Sequence, residues 1–178
     1  LKKNEKTGLN GQVNASIGTR DKYNAGLNMN YGTEKANYYM SYNFQDRRRF
    51  RESESFRESN LTGVSPILDQ DAFQLNRDVN HLIRGGIDWN LTENQTFGVY
   101  AQGNFRDRTG GELLNQRNIN SSQQLDSLFI RDNQETRVST NFESGINYSI
   151  ELDTLGQRLF TSASFSRDER TQEEVYNQ

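Results

Sequence analysis

The chain of 178 residues contains no cysteine, one proline and one histidine. Without cysteine there is no disulfide framework and no thiolate metal site. With His81 alone, clusters built from several histidines are excluded. A Ser-His-Asp arrangement would need a particular Ser and Asp near His81, and no spacing selects them, so His81 reads as a strand-end residue beside a loop and no enzyme activity is expected. The lone proline, Pro66, falls outside every predicted strand, which suits a β-rich chain because proline removes a ladder donor. No apolar run approaches the ~20 residues of a membrane-crossing helix. The first residues, Leu1 to Lys6, lack the apolar stretch of a secretory signal. A barrel exported to an outer membrane needs such a signal, so this chain is expected to be an internal piece of something longer. A net charge of -3 provides no basic field for nucleic acid.

Only 31% of the residues are hydrophobic, and the mean hydropathy is -0.99. Such values lean towards disorder or an unfilled core. Aromatic residues nevertheless reach 11%. A large β-barrel reconciles the two, since its strands need apolar residues on one side only and its bore can hold water.

The strongest positive signal is a period of two. Residues 36 to 45 place Ala36, Tyr38, Met40, Tyr42 and Phe44 on one strand face, and Asn37, Tyr39, Ser41, Asn43 and Gln45 on the other. The polar face of this stretch carries no charge, although a quarter of the chain is charged. Amides and hydroxyls opposite aromatics resemble a wet barrel interior backed by a lipid-facing wall.

About seven strands follow from this pattern. The first runs near Gly8 to Thr19, with Asn14 on its polar side. The second, Tyr23 to Tyr31, sets Tyr23, Leu27, Met29 and Tyr31 against Asn24, Asn28 and Asn30. The third is the stretch 36 to 45. The fourth, Leu82 to Leu91, presents Ile87 and Trp89 to lipid, and the fifth, Thr96 to Phe105, presents Phe97, Val99 and Phe105, with Gln102 and Asn104 facing the lumen. The sixth, Thr136 to Leu152, turns Phe142, Ile146 and Tyr148 outward, with Asn141 and Asn147 inward. The seventh, Arg158 to Ser166, turns Phe165 outward. Gly85-Gly86 inside the fourth strand reads as room for bending or close backbone approach.

Connections after strands two, four and six are short. Polar segments near 46–80, 106–135 and 167–178 read as long loops. Short periplasmic turns and long extracellular loops form the pattern of bacterial outer-membrane barrels, so strand one rises from the periplasm. Asn43 to Arg47, Asn104 to Arg108 and Ser164 to Asp168 each close an upward strand with an aromatic followed by charge, about sixty residues apart. Phe44, Phe105 and Phe165 are therefore expected in an outer aromatic girdle. The fold expected is all-β: an antiparallel up-and-down transmembrane β-barrel segment of about seven strands from a larger barrel. Its first and last strands would expose unpaired backbone, and these edges are expected to be covered by further polypeptide or by a second copy.

The phrases Asp88-Trp89-Asn90-Leu91-Thr92-Glu93-Asn94-Gln95-Thr96-Phe97-Gly98 and Leu152-Asp153-Thr154-Leu155-Gly156-Gln157, together with the strand patterns, resemble the barrels of TonB-dependent outer-membrane receptors of Bacteroidetes type. Leu1-Lys2-Lys3-Asn4 is similar to the end of that family's plug, so residues 1-7 would be plug and linker and 8-178 barrel. The resemblance implies a barrel of about 22 strands around a plug. It implies import of a scarce nutrient in the cell outer membrane, driven through the TonB complex by a peptide on the plug. Its partners would be lipid and lipopolysaccharide, the rest of the barrel with its plug, and a surface lipoprotein. It implies no cofactor.

Two further patterns concern ligands. Arg47, Arg48, Arg49 and Arg51 could contact lipopolysaccharide phosphates or an anionic ligand, since guanidinium forks match such groups. Glu52, Glu54 and Glu58 are close enough in sequence to balance them in a solvated loop. Asp69, Asp71, Asp126 and Asp132 offer oxygens for calcium, but their spacing fits no dedicated calcium loop. Rival readings are a soluble β-sandwich adhesion module, whose dry core would hold Tyr23, Tyr38, Tyr42, Trp89, Phe97 and Phe142, and an outer-membrane barrel enzyme.

Overall fold

A computed structural model describes residues 7–59, 67–152 and 156–177. The segment 1–6, Pro66 and the expected turn residues Asp153 to Leu155 lie outside the described residues. The rest is all-β, without a helix, in one antiparallel seven-stranded sheet. The strands are β1 Gly8–Gly18, β2 Lys22–Gly32, β3 Ala36–Glu58, β4 Ile67–Thr92, β5 Gln95–Ile119, β6 Leu125–Glu151 and β7 Arg158–Asn177. Each strand lies beside its sequence neighbours, the order β1 to β7 running unbroken across the sheet. Short connections dictate this, because a tight turn can only return the chain antiparallel to the strand it left.

The turns have identifiable chemistry. Between β1 and β2, the three-residue connection Thr19 to Asp21 turns the chain back, with Arg20 and Asp21 both at positive φ (66° and 53°). The register is then fixed with Gly8 opposite Gly32 and Gly18 opposite Lys22. Between β2 and β3, the Thr33 hydroxyl and the backbone of Ala36 exchange hydrogen bonds of 2.9 Å. Between β5 and β6, Asn120 Oδ1 accepts from the backbone N–H groups of Ser122 and Gln124, holding Gln123 in a left-handed conformation.

Three polar segments expected as long loops are instead mostly strand where they are described. β3 continues to Glu58 rather than ending at Gln45, β4 begins at Ile67 rather than Leu82, β5 runs to Ile119 and β6 starts at Leu125. β7 extends to Asn177, so the segment 167–178 is likewise strand as far as it is described. The physical reason is that polarity reports solvation on both faces, not irregular backbone. The ladder satisfies the main chain, and cross-strand side-chain pairs add to it, as between Gln70 and Gln116 at 2.8 Å and between Asn115 and Asp71 at 2.7 Å.

The sandwich reading required a dry core, and there is none among the described residues. The sheet has no second layer, and its buried side chains are Ala36 and Ser149 alone. Tyr23, Tyr38 and Phe142, which a sandwich would bury, are 42%, 41% and 45% exposed. The sheet is not closed. β1 and β7 stand at its two edges, and β7 is exposed along its whole length.

The contacts divide the chain into two compact units. One comprises Leu1–Asp46, Val79–Arg106 and Ser139–Arg170; the other comprises Arg47–Asp78, Asp107–Val138 and Thr171–Gln178.

Candidate functional site

In the first unit, cross-strand contacts assign the faces. The Asn24 amide donates to Ser16, and Gln45 donates to Asn24 at 2.9 Å. Gly98 lies against Asn147 and Asp88, and the Arg158 guanidinium reaches Ser149 at 2.9 Å. Strand alternation carries these links along each strand, so Asn14, Asn24, Asn28, Asn30, Asn43, Gln102, Asn104, Asn141 and Asn147 fall on one amide face. The opposite face is apolar. Tyr31 packs against Tyr38 (ring centroids 6.1 Å apart) and Trp89 against Phe97 (6.2 Å). The remaining apolar set, Leu27, Met29, Met40, Ile87, Val99, Phe105, Ile146, Tyr148 and Phe165, alternates onto this face as well.

His81 sits within β4 on the apolar face, not at a strand end. Its Nδ1 lies 2.9 Å from the Tyr42 hydroxyl, and its ring packs on Phe44 at 5.1 Å. A ring satisfied by a tyrosine and covered by a phenylalanine acts as an aromatic wall residue with one polar tip.

At the centre of the amide face stands a cluster that sequence reading missed. The Arg84 guanidinium lies over the rings of Tyr39 and Tyr100, at 5.9 and 5.5 Å from their centroids. Tyr100 Oη donates to Glu143 Oε1 at 2.7 Å, and Gln102 donates to Glu143 Oε2 at 2.8 Å. The tyrosines lie flat because neighbouring strands carry glycine beneath them. A Cβ at Gly145 would meet the Tyr100 ring at 2.6 Å, and one at Gly86 would meet the Tyr39 ring and the Val99 carbonyl oxygen at 2.7 Å. Gly86 thus serves the close approach that its place in a strand suggested. The signal for the cluster was present: Arg84 is the one arginine between Leu82 and Leu91, and its parity matches the amide side.

The second unit has its own two faces. Gln74 and Arg131 both donate to Glu112, the latter at 2.6 Å, and Gly110 abuts Asn76 and Glu135. These residues define an amide and charge face. The bonds from Gln74 and Arg131 hold the Glu112 carboxyl below the usual glutamate range, because they favour its ionised form. On the opposite face, Arg117 bridges Asp69 and Asp71, each at 2.9 Å. Those two carboxylates are therefore committed to a guanidinium. No group of three or more potential metal ligands occurs among the described residues.

The arginine cluster does not act as one group. Arg48 lines a hollow with Leu75, Arg77, Thr109 and Asp132, on the face opposite Gln74 and Glu112. Arg47, Arg49 and Arg51 have the other parity, as does Arg57. The expectation that Glu52, Glu54 and Glu58 balance these arginines fails for Arg47, Arg49 and Arg51 for the same reason. A strand sends alternate residues to opposite sides, so the glutamates share the face of Arg48. Arg47, Arg49 and Arg51 sit ~7 Å apart in turn along the strand, and Arg57 lies ~20 Å beyond Arg51. Like charges ~7 Å apart repel by about 0.6 kcal/mol per pair even in water.

No protein-family model and no curated protein matches the chain.

Proposed function

We propose that the chain forms part of the wall of an outer-membrane receptor barrel that imports a scarce nutrient by a TonB-dependent route. One observation carries the reading: a single sheet presents amides and hydroxyls on one side and unburied aromatic and aliphatic side chains on the other, with no second layer to cover them. In water such a contiguous apolar face is unfavourable. Against acyl chains it is the expected wall of a barrel.

The dimensions fit. Phe97 and Phe105 bracket the apolar run of β5, eight residues apart, or ~27 Å along the strand. At the ~40° tilt of such barrels this becomes ~20 Å of height, close to the ~25 Å apolar band between aromatic girdles. Tyr31, Tyr38, Trp89, Phe97 and Tyr148 would form the periplasmic girdle. Tyr23, Phe44, Phe105 and Phe165 would form the outer one.

The open edges at β1 and β7 would pair with the remaining strands of the same barrel, whose plug would engage the TonB complex. Lipid and lipopolysaccharide would meet the apolar face, and a surface lipoprotein could cap the bore. The resemblance of the turn phrases to TonB-dependent receptors supports transport over the rival readings, and the surroundings of His81 give an enzyme reading no support.

Partition tests the membrane assignment. The chain, refolded from urea, is expected to float with phosphatidylcholine vesicles in a density gradient and to resist extraction by carbonate. Recovery as a monodisperse monomer in buffer without lipid or detergent would sink it.

A further inference from the structure

We infer that the row Arg47, Arg49, Arg51 and Arg57 is a capture site for a soluble ligand bearing several phosphate or carboxylate groups. The inference rests on the barrel-receptor reading and names the ligand class that reading leaves open. It starts from the strand character of residues 47 to 58. In a loop the glutamates of this segment could fold back onto the arginines. In a strand they cannot, because Glu52, Glu54 and Glu58 point to the other side.

Next come the neighbours on the arginine face. In this unit the acids there are already engaged: Glu112 by Arg131 and Gln74, Glu135 by Arg137 at 2.5 Å, and Glu174 by Gln172 and Tyr176. Asp78, of the same parity, has a partner of its own. Among the described residues, the four arginines of the row form no ion pair. Arg108, on the same face, lines a hollow of about 210 Å³ with Gln74, Asn76 and Asn133, which adds amide donors. The result is a line of three guanidinium forks ~7 Å apart, with Arg57 on the same face ~20 Å further along the strand. Their mutual repulsion is relieved when an anion bridges them, and their planar donors suit phosphate and carboxylate oxygens.

The opposite face argues for a soluble ligand over a lipid surface. Phosphates approaching from that side meet Glu52, Glu54 and Glu58, with Asp69, Asp71 and Asp132 on neighbouring strands. Among the described residues of this unit, Arg48, Arg77 and Arg117 offset them, and Arg117 is committed to Asp69 and Asp71.

Titration calorimetry with inorganic tripolyphosphate, on the full chain in detergent micelles, tests this. Arg47→Gln/Arg49→Gln/Arg51→Gln is expected to weaken binding at least about tenfold, the loss of one charge-assisted contact or more. Salt dependence should flatten with it. Glu52→Gln/Glu54→Gln should change the affinity by less than about threefold, because screened charges across a sheet couple weakly. No binding by the unmodified chain, an unchanged affinity in the arginine variant, or a tenfold gain in the glutamate variant would each overturn the proposal. A parallel arm uses vesicles with phosphorylated or dephosphorylated lipid A. Vesicle binding that falls in the arginine variant, with tripolyphosphate affinity intact, would reassign the row to lipid phosphates. A chain that inserts into bilayers while its row ignores tripolyphosphate removes the site alone. One that binds tripolyphosphate through the row but never inserts removes the barrel reading and leaves the site.

Discussion

Ala101→Arg is expected to destabilise the folded chain in lipid vesicles by about 2–4 kcal/mol, the cost of an arginine on the lipid face near the bilayer midplane. Ala101 lies midway between Phe97 and Phe105 on the apolar face of β5, and it is exposed. In an aqueous sheet an exposed alanine accepts arginine within about 0.5 kcal/mol. The two environments therefore differ by about tenfold or more in the folding equilibrium. Gln102→Arg, one residue on, is the matched control. Its side chain lies on the amide face beside Glu143, where a guanidinium gains a carboxylate, so it should be nearly neutral. Urea titration of both variants in the same vesicles reads the difference. Equal costs at the two positions would contradict the assignment of faces.

The second large effect concerns Gly86. A methyl group there would approach the Val99 carbonyl oxygen to 2.7 Å and press on the Tyr39 ring. The ring can turn aside, but the carbonyl belongs to a paired strand and cannot move without disturbing the ladder. Gly86→Ala is expected to cost about 1–3 kcal/mol, the range for overpacking. Gly85→Ala meets nothing closer than the Tyr39 carbonyl oxygen, at an ordinary contact of 3.6 Å, and should be neutral or slightly stabilising. Because Tyr39 is one of the two groups obstructing position 86, Tyr39→Ala/Gly86→Ala should cost less than the two single changes added together. Additive costs would show that the ring does not cover the glycine. Equal costs at positions 85 and 86 would contradict the described packing.

The two-faced pattern of β2, β3 and β5 was legible because nothing interrupts it: every second residue from Tyr23 to Tyr31 and from Ala36 to Phe44 is apolar. The length of the strands was not. From Arg47 to Glu58 the alternation persists in charge instead of hydrophobicity, with arginine and serine on one parity and, after Arg48, glutamate and phenylalanine on the other. Reading hydrophobicity alone turns such a stretch into a loop. That one misreading also merged Arg48 with Arg47, Arg49 and Arg51, and placed the glutamates beside arginines they do not face. The Arg84 cluster was hidden for a different reason. Its partners Tyr39, Tyr100 and Glu143 come from three other strands, and only register brings them together. The glycines beneath the two rings gave the one local hint.

Since the chain lacks cysteine, single cysteines can be placed along residues 97 to 105 of β5, one per variant, and each labelled with a nitroxide. Collision rates in vesicles with oxygen, which concentrates in acyl chains, and with a nickel chelate, which stays in water, measure what each side chain meets. Odd positions should be oxygen-accessible, even positions nickel-accessible, with the contrast largest near Ala101. Nickel access at every position, or rates without a period of two, would contradict a wall with lipid on one side and water on the other.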